Sequence, residues 1–258
     1  MNTKCLVFIA CLIFFTAQSA FSEEWKRAYL ASYPRSGNHW IRSLVEEATH
    51  VATGAVYLDK VPMHMKKVFP WGGHCCKHGY DGNCRYPNKN DIVLIKTHFP
   101  GQIVSTDFQA SKPKYLKTKF DELPYVITIR VVRNPVDSFY SRYVKRPNGA
   151  LLDQVPSERV SLFIKELIHF NDYWNKQSNV HTFKYEDFLD NPFDELKKLL
   201  KLLKYEVTDE DILRAVTRYP PEGKMLKSID KFEVKDLELM ENKLRRFMEQ
   251  FNYKILLH

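Results

Sequence analysis

The sequence predicts an α/β fold in which a mostly parallel central sheet is flanked by helices on both faces, giving three layers. Apolar runs of strand length alternate with segments whose apolar residues recur at helical spacing, and this alternation is typical of parallel sheets. The run from Tyr125 to Val132 is nearly continuous in β-branched residues, as expected for a strand covered on both faces. In chain order, the alternating strands and helices are predicted at 28–32, 40–51, 92–95, 125–132, 135–143, 180–185 and 192–204. Helices are also predicted from Ser157, over 209–218 and over 234–251.

The composition is that of an ordinary globular protein with a basic surface. The chain of 258 residues is long enough for one α/β domain with a substantial core. A net charge of +8 favours anionic partners, among them nucleotides, sulfated or carboxylated glycans, nucleic acid and membranes. No RNP-like motif or zinc-finger spacing is present in the sequence, so we expect no nucleic-acid partner.

The N-terminal residues predict a signal peptide that ends at Ser22. Lys4 precedes an apolar run from Cys5 to Ala17, and Ala20-Phe21-Ser22 fits a small-x-small cleavage site. The alternative is a short type II signal anchor, but the apolar run is shorter than the roughly 20 residues that a spanning helix needs. We therefore expect residues 23–258 to form a single domain in the secretory pathway, in the Golgi lumen or secreted, without a stable membrane span. A single-pass type II membrane protein is the alternative.

The segment from Tyr57 to Asn90 is rich in Gly, Asn and Asp and is predicted to be a loop. It contains Cys75, Cys76 and Cys84, the cysteines that remain after the predicted signal peptide. In an oxidising compartment we expect one disulfide, between Cys84 and either Cys75 or Cys76, and one odd thiol. A metal site that adds the neighbouring histidines is the alternative, but the spacing fits no standard zinc pattern, and we expect no metal.

A short polar turn, Tyr33-Pro-Arg-Ser-Gly-Asn-His-Trp40, separates the first predicted strand from the first predicted helix. Gly37 is free to adopt unusual backbone angles, and Arg35 places a cation beside it. A helix N-terminus presents unpaired N–H groups and the positive end of a dipole, so this arrangement is a natural anion cradle. An ordinary strand-to-helix turn has the same local pattern, and the sequence G-x-x-x-x-G-K-[ST] is absent. This segment alone leaves both interpretations open.

Two more polar segments follow predicted strands. Lys96-Thr-His98 comes directly after the strand over 92–95, at the position where open α/β sheets place their ligand chemistry. Arg133-Asn-Pro135 follows the strand over 125–132, and a proline suits the first turn of a helix. Ser141 lies almost two turns along that helix and meets Arg133 around one anion only if the chain folds back. A loop histidine and a capped surface helix are the plain alternatives.

These segments resemble, in the same order, the motifs of the sulfotransferases. Tyr33-Pro-Arg-Ser-Gly-x-x-Trp40 is similar to the 5′-phosphosulfate loop of that family, and Lys96-Thr-His98 to the segment with its catalytic base. Arg133-Asn-Pro-x-Asp-x-x-x-Ser141 is similar to the 3′-phosphate motif, and Tyr185-Glu-Asp-Phe to a segment whose Tyr lies near the adenine. Leu30 to Trp40, with the following Glu-x-Ala-Thr and Thr-Gly, most resembles animal sulfotransferases that carry WSC domains. We expect no WSC domain in this chain.

The resemblance implies a P-loop NTPase-like fold and the sulfate donor 3′-phosphoadenosine 5′-phosphosulfate, with no metal. It covers residues 30 to about 204, but the lid segment Arg-Lys-Gly of cytosolic members is missing here. Lys224 and Lys227 are the candidates to replace it. By resemblance, and from what the side chains can bind, the donor-binding residues are Arg35, Ser36, Gly37, Asn38, His39, Trp40, Arg133, Ser141 and Tyr185.

The predicted catalytic residues are His98, Arg35 and Lys96. A histidine that is neutral near pH 7 can take the proton of an acceptor hydroxyl. Arg35 and the amides of residues 36–40 can stabilise the leaving phosphate, although an arginine cannot donate a proton. Lys96 can neutralise sulfonate charge, and Trp40 is expected to stack on adenine.

Three classes of function are compatible with these patterns. The first is a lumenal sulfotransferase that moves a sulfuryl group to a hydroxyl by in-line displacement, and we expect that hydroxyl to belong to a carbohydrate. The second is a catalytically idle secreted member that binds a nucleotide or an anionic glycan. The third is a P-loop kinase, but the sequence lacks Gly-Lys-Ser/Thr and an evident Mg²⁺ carboxylate. The set of Arg35, His98, Arg133 and Ser141 favours the enzyme.

Overall fold

The computed structural model describes residues 28–51, 53–55, 94–100, 127–144, 155, 157–221 and 229–254. Within these ranges, five strands form one sheet in the order β2-β3-β1-β4-β5, and every pairing is parallel. The strands are β1 (Ala28–Ser32), β2 (Gly54–Ala55), β3 (Leu94–Thr97), β4 (Ile127–Val132) and β5 (Val180–Lys184). The prediction of a mostly parallel sheet is therefore confirmed.

The described helices cover both faces of this sheet. They are α1 (Asn38–Thr49), α2 (Pro135–Phe139), α3 (Ser157–Asn175), α4 (Tyr185–Asp190), α5 (Pro192–Leu202), α6 (Asp209–Arg218) and α7 (Val234–Gln250). A π-helical turn over Tyr140–Val144 continues α2, and a 3₁₀ turn over Ile229–Lys231 precedes α7.

Two hydrophobic clusters fill the spaces between the sheet and its helices. Because successive strand residues point to opposite faces, Leu30 joins a cluster with α1, α5 and α6, while Ala31 joins one with α2, α3 and α7. The same alternation divides β4, where Val131 faces the first cluster and Val132 faces the second. The predicted three-layer arrangement is thus present, and β1 lies in its middle.

The bounds of several elements differ from the predicted ones. Helix α1 begins at Asn38 rather than Trp40, and β3 continues through Thr97. Tyr185 starts α4 instead of ending β5, and the helix that begins at Pro135 widens into a π-turn at Tyr140.

These differences have local physical causes. The apolar spacing begins at Trp40, whereas the first turn of α1 is polar and needs no apolar face. Lys96 fits inside β3 because its ammonium contacts His39 in the first turn of α1. Tyr185 can begin a helix because two acidic residues follow it, and acidic side chains stabilise the first turn.

Several predictions concern residues outside the described ranges. These are the signal peptide over 1–22, the loop over 57–90 with its cysteines, and the lid candidates Lys224 and Lys227. Among the described residues, no helix has the length and apolar character needed to cross a membrane. Within the same residues, no cluster of three or more His, Cys, Asp or Glu side chains is arranged to hold a metal ion.

Candidate functional site

The predicted site residues come together at the carboxyl edge of the sheet. Ala31 in β1 is paired with Thr97 in β3 on one side and with Arg130 in β4 on the other. Since the three strands are parallel and in register, the segments that follow them leave the sheet at the same edge. Those segments are the turn after Ser32, His98, and Arg133.

The turn after β1 presents an uncapped helix N-terminus. The Ser36 amide donates to the Tyr33 carbonyl at 3.2 Å, and Arg35 and Gly37 both have left-handed backbone angles, with φ of 69° and 87°. Gly37 is the N-cap of α1, makes no side-chain capping bond, and is followed by no acidic residue in the first turn. The Ser36 amide is thus used inside the turn, so the amides that can bind an anion are those of residues 37–40 rather than 36–40.

Gly37 is required by packing as well as by its backbone angle. A Cβ at this position would lie 2.2 Å from Cδ2 and 2.3 Å from Cε2 of Tyr185. The Tyr185 ring that excludes a side chain at position 37 also contacts Arg133. The guanidinium carbon of Arg133 lies 4.4 Å from the centre of that ring. Its Nη1 donates to the Arg35 carbonyl at 2.8 Å. Four residues predicted to bind the donor, namely Arg35, Gly37, Arg133 and Tyr185, therefore form one connected cluster.

Arg133 also carries an unsatisfied donor. Its Nε is buried, and among the described residues it has no hydrogen-bond partner. A buried N–H without an acceptor costs about 1–3 kcal/mol, so such a group is suited to binding a ligand oxygen. The structure therefore offers a cationic donor and the uncapped N-terminus of α1 at the same edge of the sheet.

His98 is buried, with 5% of its surface exposed, and its Nδ1 lies 2.6 Å from the Ser32 carbonyl oxygen. A carbonyl oxygen only accepts, so Nδ1 carries the hydrogen, and in the neutral ring Nε2 is the unprotonated nitrogen. Burial lowers the pKa of His98 well below its ordinary value, and the nearby charge of Lys96 lowers that pKa further. The hydrogen bond to Ser32 opposes this shift without cancelling it. His98 is therefore neutral at pH 7, with a defined tautomer.

Lys96 joins β3 to the first turn of α1. Its Nζ lies 3.3 Å from Nε2 of His39, and because an ammonium only donates, the imidazole nitrogen accepts. Lys96 is buried and His39 is exposed. The charge of Lys96 also acts on His98, so this contact lies near the predicted base.

The two aromatic residues predicted to lie near the adenine are neighbours. The Trp40 and Tyr185 rings meet edge to face, with centroids 5.8 Å apart, and the Trp40 Nε1 donates to the Tyr219 carbonyl at 2.8 Å.

Asn38 and Ser141 are the remaining residues predicted to bind the donor. Asn38 is buried, and its Nδ2 donates to the Ser32 hydroxyl at 2.8 Å. Ser141 lies half-buried in the π-helical turn, eight positions along the chain from Arg133. The role of each residue stays a prediction.

Sequence reasoning missed a buried ionic cluster beneath the turn. The Tyr33 hydroxyl donates to Oε2 of Glu166 at 2.6 Å, and Nη1 of Arg142 donates to the same oxygen at 2.8 Å and to the Tyr33 hydroxyl. Burial raises the pKa of Tyr33 well above its ordinary value. The cluster connects the turn to the π-helix that carries Ser141. The available signal was Glu166 itself, an acidic residue within the apolar stripe of α3.

A model of the sulfotransferase domain matches residues 26–220 of this chain. The chain belongs to the sulfotransferase family. The resemblance to this family is thereby confirmed, and the match covers the predicted 5′-phosphosulfate loop, the segment with His98 and the predicted 3′-phosphate motif.

Curated relatives of this sulfotransferase chain are WSCD family members from insects. GA21586 of Drosophila pseudoobscura pseudoobscura is 24% identical over 200 residues, which are 72% of this chain and 52% of the relative. CG9164 of Drosophila melanogaster is 25% identical over 191 residues, which are 73% of this chain and 54% of the relative. The chain thus spans about half the length of the curated relatives that it matches.

Solved sulfotransferase structures share the fold. Mouse sulfotransferase SULT7A1, solved in complex with PAP, superposes with a TM-score of 0.54 and 18% identity over 88% of each chain. The sulfotransferase domain from the curacin biosynthetic pathway gives a TM-score of 0.53 and 13% identity over 89% of this chain and 98% of that domain. The fold is therefore the P-loop-like α/β fold of sulfotransferases.

Proposed function

We propose that this protein transfers a sulfuryl group from 3′-phosphoadenosine 5′-phosphosulfate to a hydroxyl group of a carbohydrate acceptor. The observation that carries the proposal is the state of His98. It is neutral, its Nδ1 hydrogen is bonded to the Ser32 carbonyl, and it lies at the sheet edge that also presents an uncapped helix N-terminus and Arg133. A base next to an anion cradle is the combination that sulfuryl transfer to a hydroxyl requires.

The donor would be bound by the turn after β1 and by Arg133. The amides of residues 37–40 and the dipole of α1 suit a phosphosulfate, because both favour negative charge. The buried Nε of Arg133 suits a phosphate oxygen, and Ser141 is the proposed second contact to the 3′-phosphate. Trp40 and Tyr185 form the proposed aromatic contact with adenine, as their rings already touch.

The chemistry would be an in-line displacement at sulfur. His98 would take the acceptor proton on Nε2 as the acceptor oxygen bonds to sulfur and the bond from sulfur to the 5′-phosphate oxygen breaks. The electron pair of that broken bond stays on the phosphate, where Arg35 and the amides of residues 37–40 would stabilise the charge. Lys96 would neutralise the charge of the transferred sulfonate, and the proton on His98 would then pass to solvent.

The carbohydrate acceptor and the location are proposed together. A net charge of +8 suits an acidic glycan, and the signal-like N-terminus suits the secretory pathway, in the Golgi lumen or outside the cell. Sequencing the N-terminus of protein secreted by expressing cells would test the location. We expect the mature chain to begin at Glu23, whereas a membrane-retained chain that keeps residues 1–22 would support the type II anchor.

Replacing His98 by Ala tests the proposed mechanism. We expect kcat to fall by about 10²–10⁴-fold, the usual contribution of general acid–base catalysis, because the variant lacks the group that would take the acceptor proton. The affinity for adenosine 3′,5′-bisphosphate, measured by calorimetry, should hardly change, since His98 would face the acceptor. His169→Ala is the matched control, because His169 is exposed on α3. Full turnover by His98→Ala would refute the assignment of the base.

A catalytically idle binding protein is the alternative function. It predicts that the wild-type protein binds the nucleotide or an anionic glycan and turns over no acceptor. The neutral state of His98 favours the enzyme. An uncharged imidazole can accept a proton, but it adds no positive charge for binding an anion.

A further inference from the structure

Two consecutive residues at the start of α4 hold the two consecutive residues that directly follow β4. The Tyr185 ring lies under the Arg133 guanidinium, and Oε1 of Glu186 accepts the backbone N–H of Asn134 at 2.8 Å. Asn134 in turn caps α2, because its Oδ1 accepts the N–H of Val136 at 2.9 Å. One pair of residues therefore fixes both the side chain and the backbone of the segment that would bind the 3′-phosphate.

Glu186 is itself held on its other side by the C-terminal part of the chain. It is 5% exposed, and its Oε2 accepts a hydrogen bond from the Tyr253 hydroxyl at 2.7 Å. Burial raises the pKa values of both Glu186 and Tyr253. A buried carboxylate oxygen without a donor is costly, so the tyrosine hydroxyl stabilises the position from which Glu186 reaches Asn134.

Tyr253 lies after α7 and beyond residues 26–220, the part that matches the sulfotransferase domain model. Its place is well defined by three contacts besides Glu186. Its amide donates to the Met248 carbonyl at 2.8 Å, its ring stacks on Phe247 with centroids 6.0 Å apart, and the Lys184 ammonium lies 4.8 Å from its ring centre. The end of α7 is thus attached to the strand and helix that border the donor site.

We propose that Glu186 and Tyr253 are positioning residues for donor binding. Glu186 holds the backbone at Asn134 so that the neighbouring Arg133 points its unsatisfied Nε toward the 3′-phosphate, and Tyr253 holds Glu186. This role rests on the proposed function, because it concerns the same nucleotide. It extends the donor site to a residue outside the matched domain, and neither residue needs to touch the ligand.

Three variants and one control test these roles. Glu186→Ala removes the acceptor for the Asn134 amide, whereas Glu186→Gln keeps an acceptor oxygen there and loses the charge. Its NH₂ group replaces the oxygen that accepts from Tyr253, whose hydroxyl oxygen can accept from that group instead. Tyr253→Phe removes the hydroxyl and keeps the ring. Asp236→Ala is the matched control, since Asp236 is an equally buried carboxylate that accepts from the Ser157 hydroxyl between α3 and α7.

The first readout is calorimetric titration of each variant with adenosine 3′,5′-bisphosphate. We expect Glu186→Ala to weaken binding about tenfold, comparable to the loss of one hydrogen bond to a charged group, and Tyr253→Phe to weaken it about threefold. Glu186→Gln should stay within about twofold of the wild type, because the amide oxygen restores the contact to Asn134. Asp236→Ala should lower the melting temperature without a change in affinity. In turnover assays, the KM for the donor should rise while kcat and the KM for the acceptor stay the same.

The second readout needs no nucleotide. Hydrogen–deuterium exchange of the peptide over residues 130–139 should speed up in Glu186→Ala and not in Asp236→Ala, because the Asn134 amide loses its acceptor. Unchanged exchange in Glu186→Ala would overturn the positioning role alone. Unchanged nucleotide affinity of Glu186→Ala, measured beside a wild type that binds the nucleotide, would do the same. If Glu186→Gln bound the nucleotide as weakly as Glu186→Ala, the charge of Glu186 rather than its hydrogen bond to Asn134 would explain the loss, and the positioning role would be wrong. A wild type that binds no nucleotide would contradict the proposed function and, with it, the role in donor binding.

Discussion

Replacing Gly37 by Ala should damage both stability and donor binding. The backbone at Gly37 has a φ of 87°, and an L-residue in this region costs about 1–2 kcal/mol. The added Cβ would lie 2.2 Å from the Tyr185 ring, and overpacking of this kind costs about 1–3 kcal/mol. We therefore expect the free energy of unfolding to fall by about 2–5 kcal/mol, the sum of these terms, as measured by urea denaturation.

The same substitution should weaken nucleotide binding because the Tyr185 ring supports Arg133. A displaced ring no longer holds the guanidinium whose carbon lies 4.4 Å from its centre. The loss of a charge-assisted bond to phosphate corresponds to about 1.5–3 kcal/mol, so the Kd for adenosine 3′,5′-bisphosphate should rise about tenfold or more. Calorimetry at constant salt measures this change.

Two further variants separate backbone strain from the contact with the ring. Asn179→Ala is a matched control, because Asn179 is exposed, has a φ of 55° and lies in the turn before β5. It should cost only about 1 kcal/mol of stability and leave nucleotide affinity unchanged. In a Tyr185→Ala background, Gly37→Ala should cost less than in the wild type, since the ring is gone. If Gly37→Ala kept both stability and affinity, the packing argument would be refuted.

Three other predictions concern His98, Glu166 and the cysteines. Below a pH of about 6.5 the unfolded chain protonates His98 and the native chain does not, so the free energy of unfolding should fall with decreasing pH, by up to about 1.4 kcal/mol per pH unit. His98→Gln should remove this part of the slope in pH-dependent denaturation, and an unchanged slope would contradict the lowered pKa. Glu166→Leu should lower the free energy of unfolding by about 3–5 kcal/mol, because it leaves a mostly buried guanidinium without its carboxylate; a loss below about 1 kcal/mol would argue against the cluster. Mass mapping of the non-reduced protein should find Cys84 joined to Cys75 or Cys76, and three free thiols would show that prediction to be wrong.

The parts of the fold that sequence predicted well are those fixed by local patterns. The continuous β-branched run of β4 and the apolar periodicity of α3 and α7 depend only on neighbouring residues. The order of strand, polar turn and helix around Gly37 likewise followed from the local sequence alone. These patterns predicted the parallel three-layer fold and placed Arg35, His98 and Arg133 at one edge of the sheet.

The parts that sequence missed depend on contacts between distant residues. Tyr33 and Glu166 are 133 positions apart, and Glu186 and Tyr253 are 67 positions apart. No periodicity reveals such pairs, because each member alone is a polar residue in an otherwise ordinary element. The tautomer of His98 also required coordinates, since it is set by the carbonyl of Ser32 on a neighbouring strand.

Transfer of radiolabelled sulfate tests the central claim most directly. Purified wild-type protein would be incubated with labelled 3′-phosphoadenosine 5′-phosphosulfate and a panel of neutral and acidic glycans, with His98→Ala as the inactive reference. We predict that label enters at least one glycan with the wild type, and that His98→Ala, which still binds the nucleotide, transfers about 10²–10⁴-fold less. A wild type that binds the nucleotide and labels no acceptor would contradict the enzyme and support the idle binding protein.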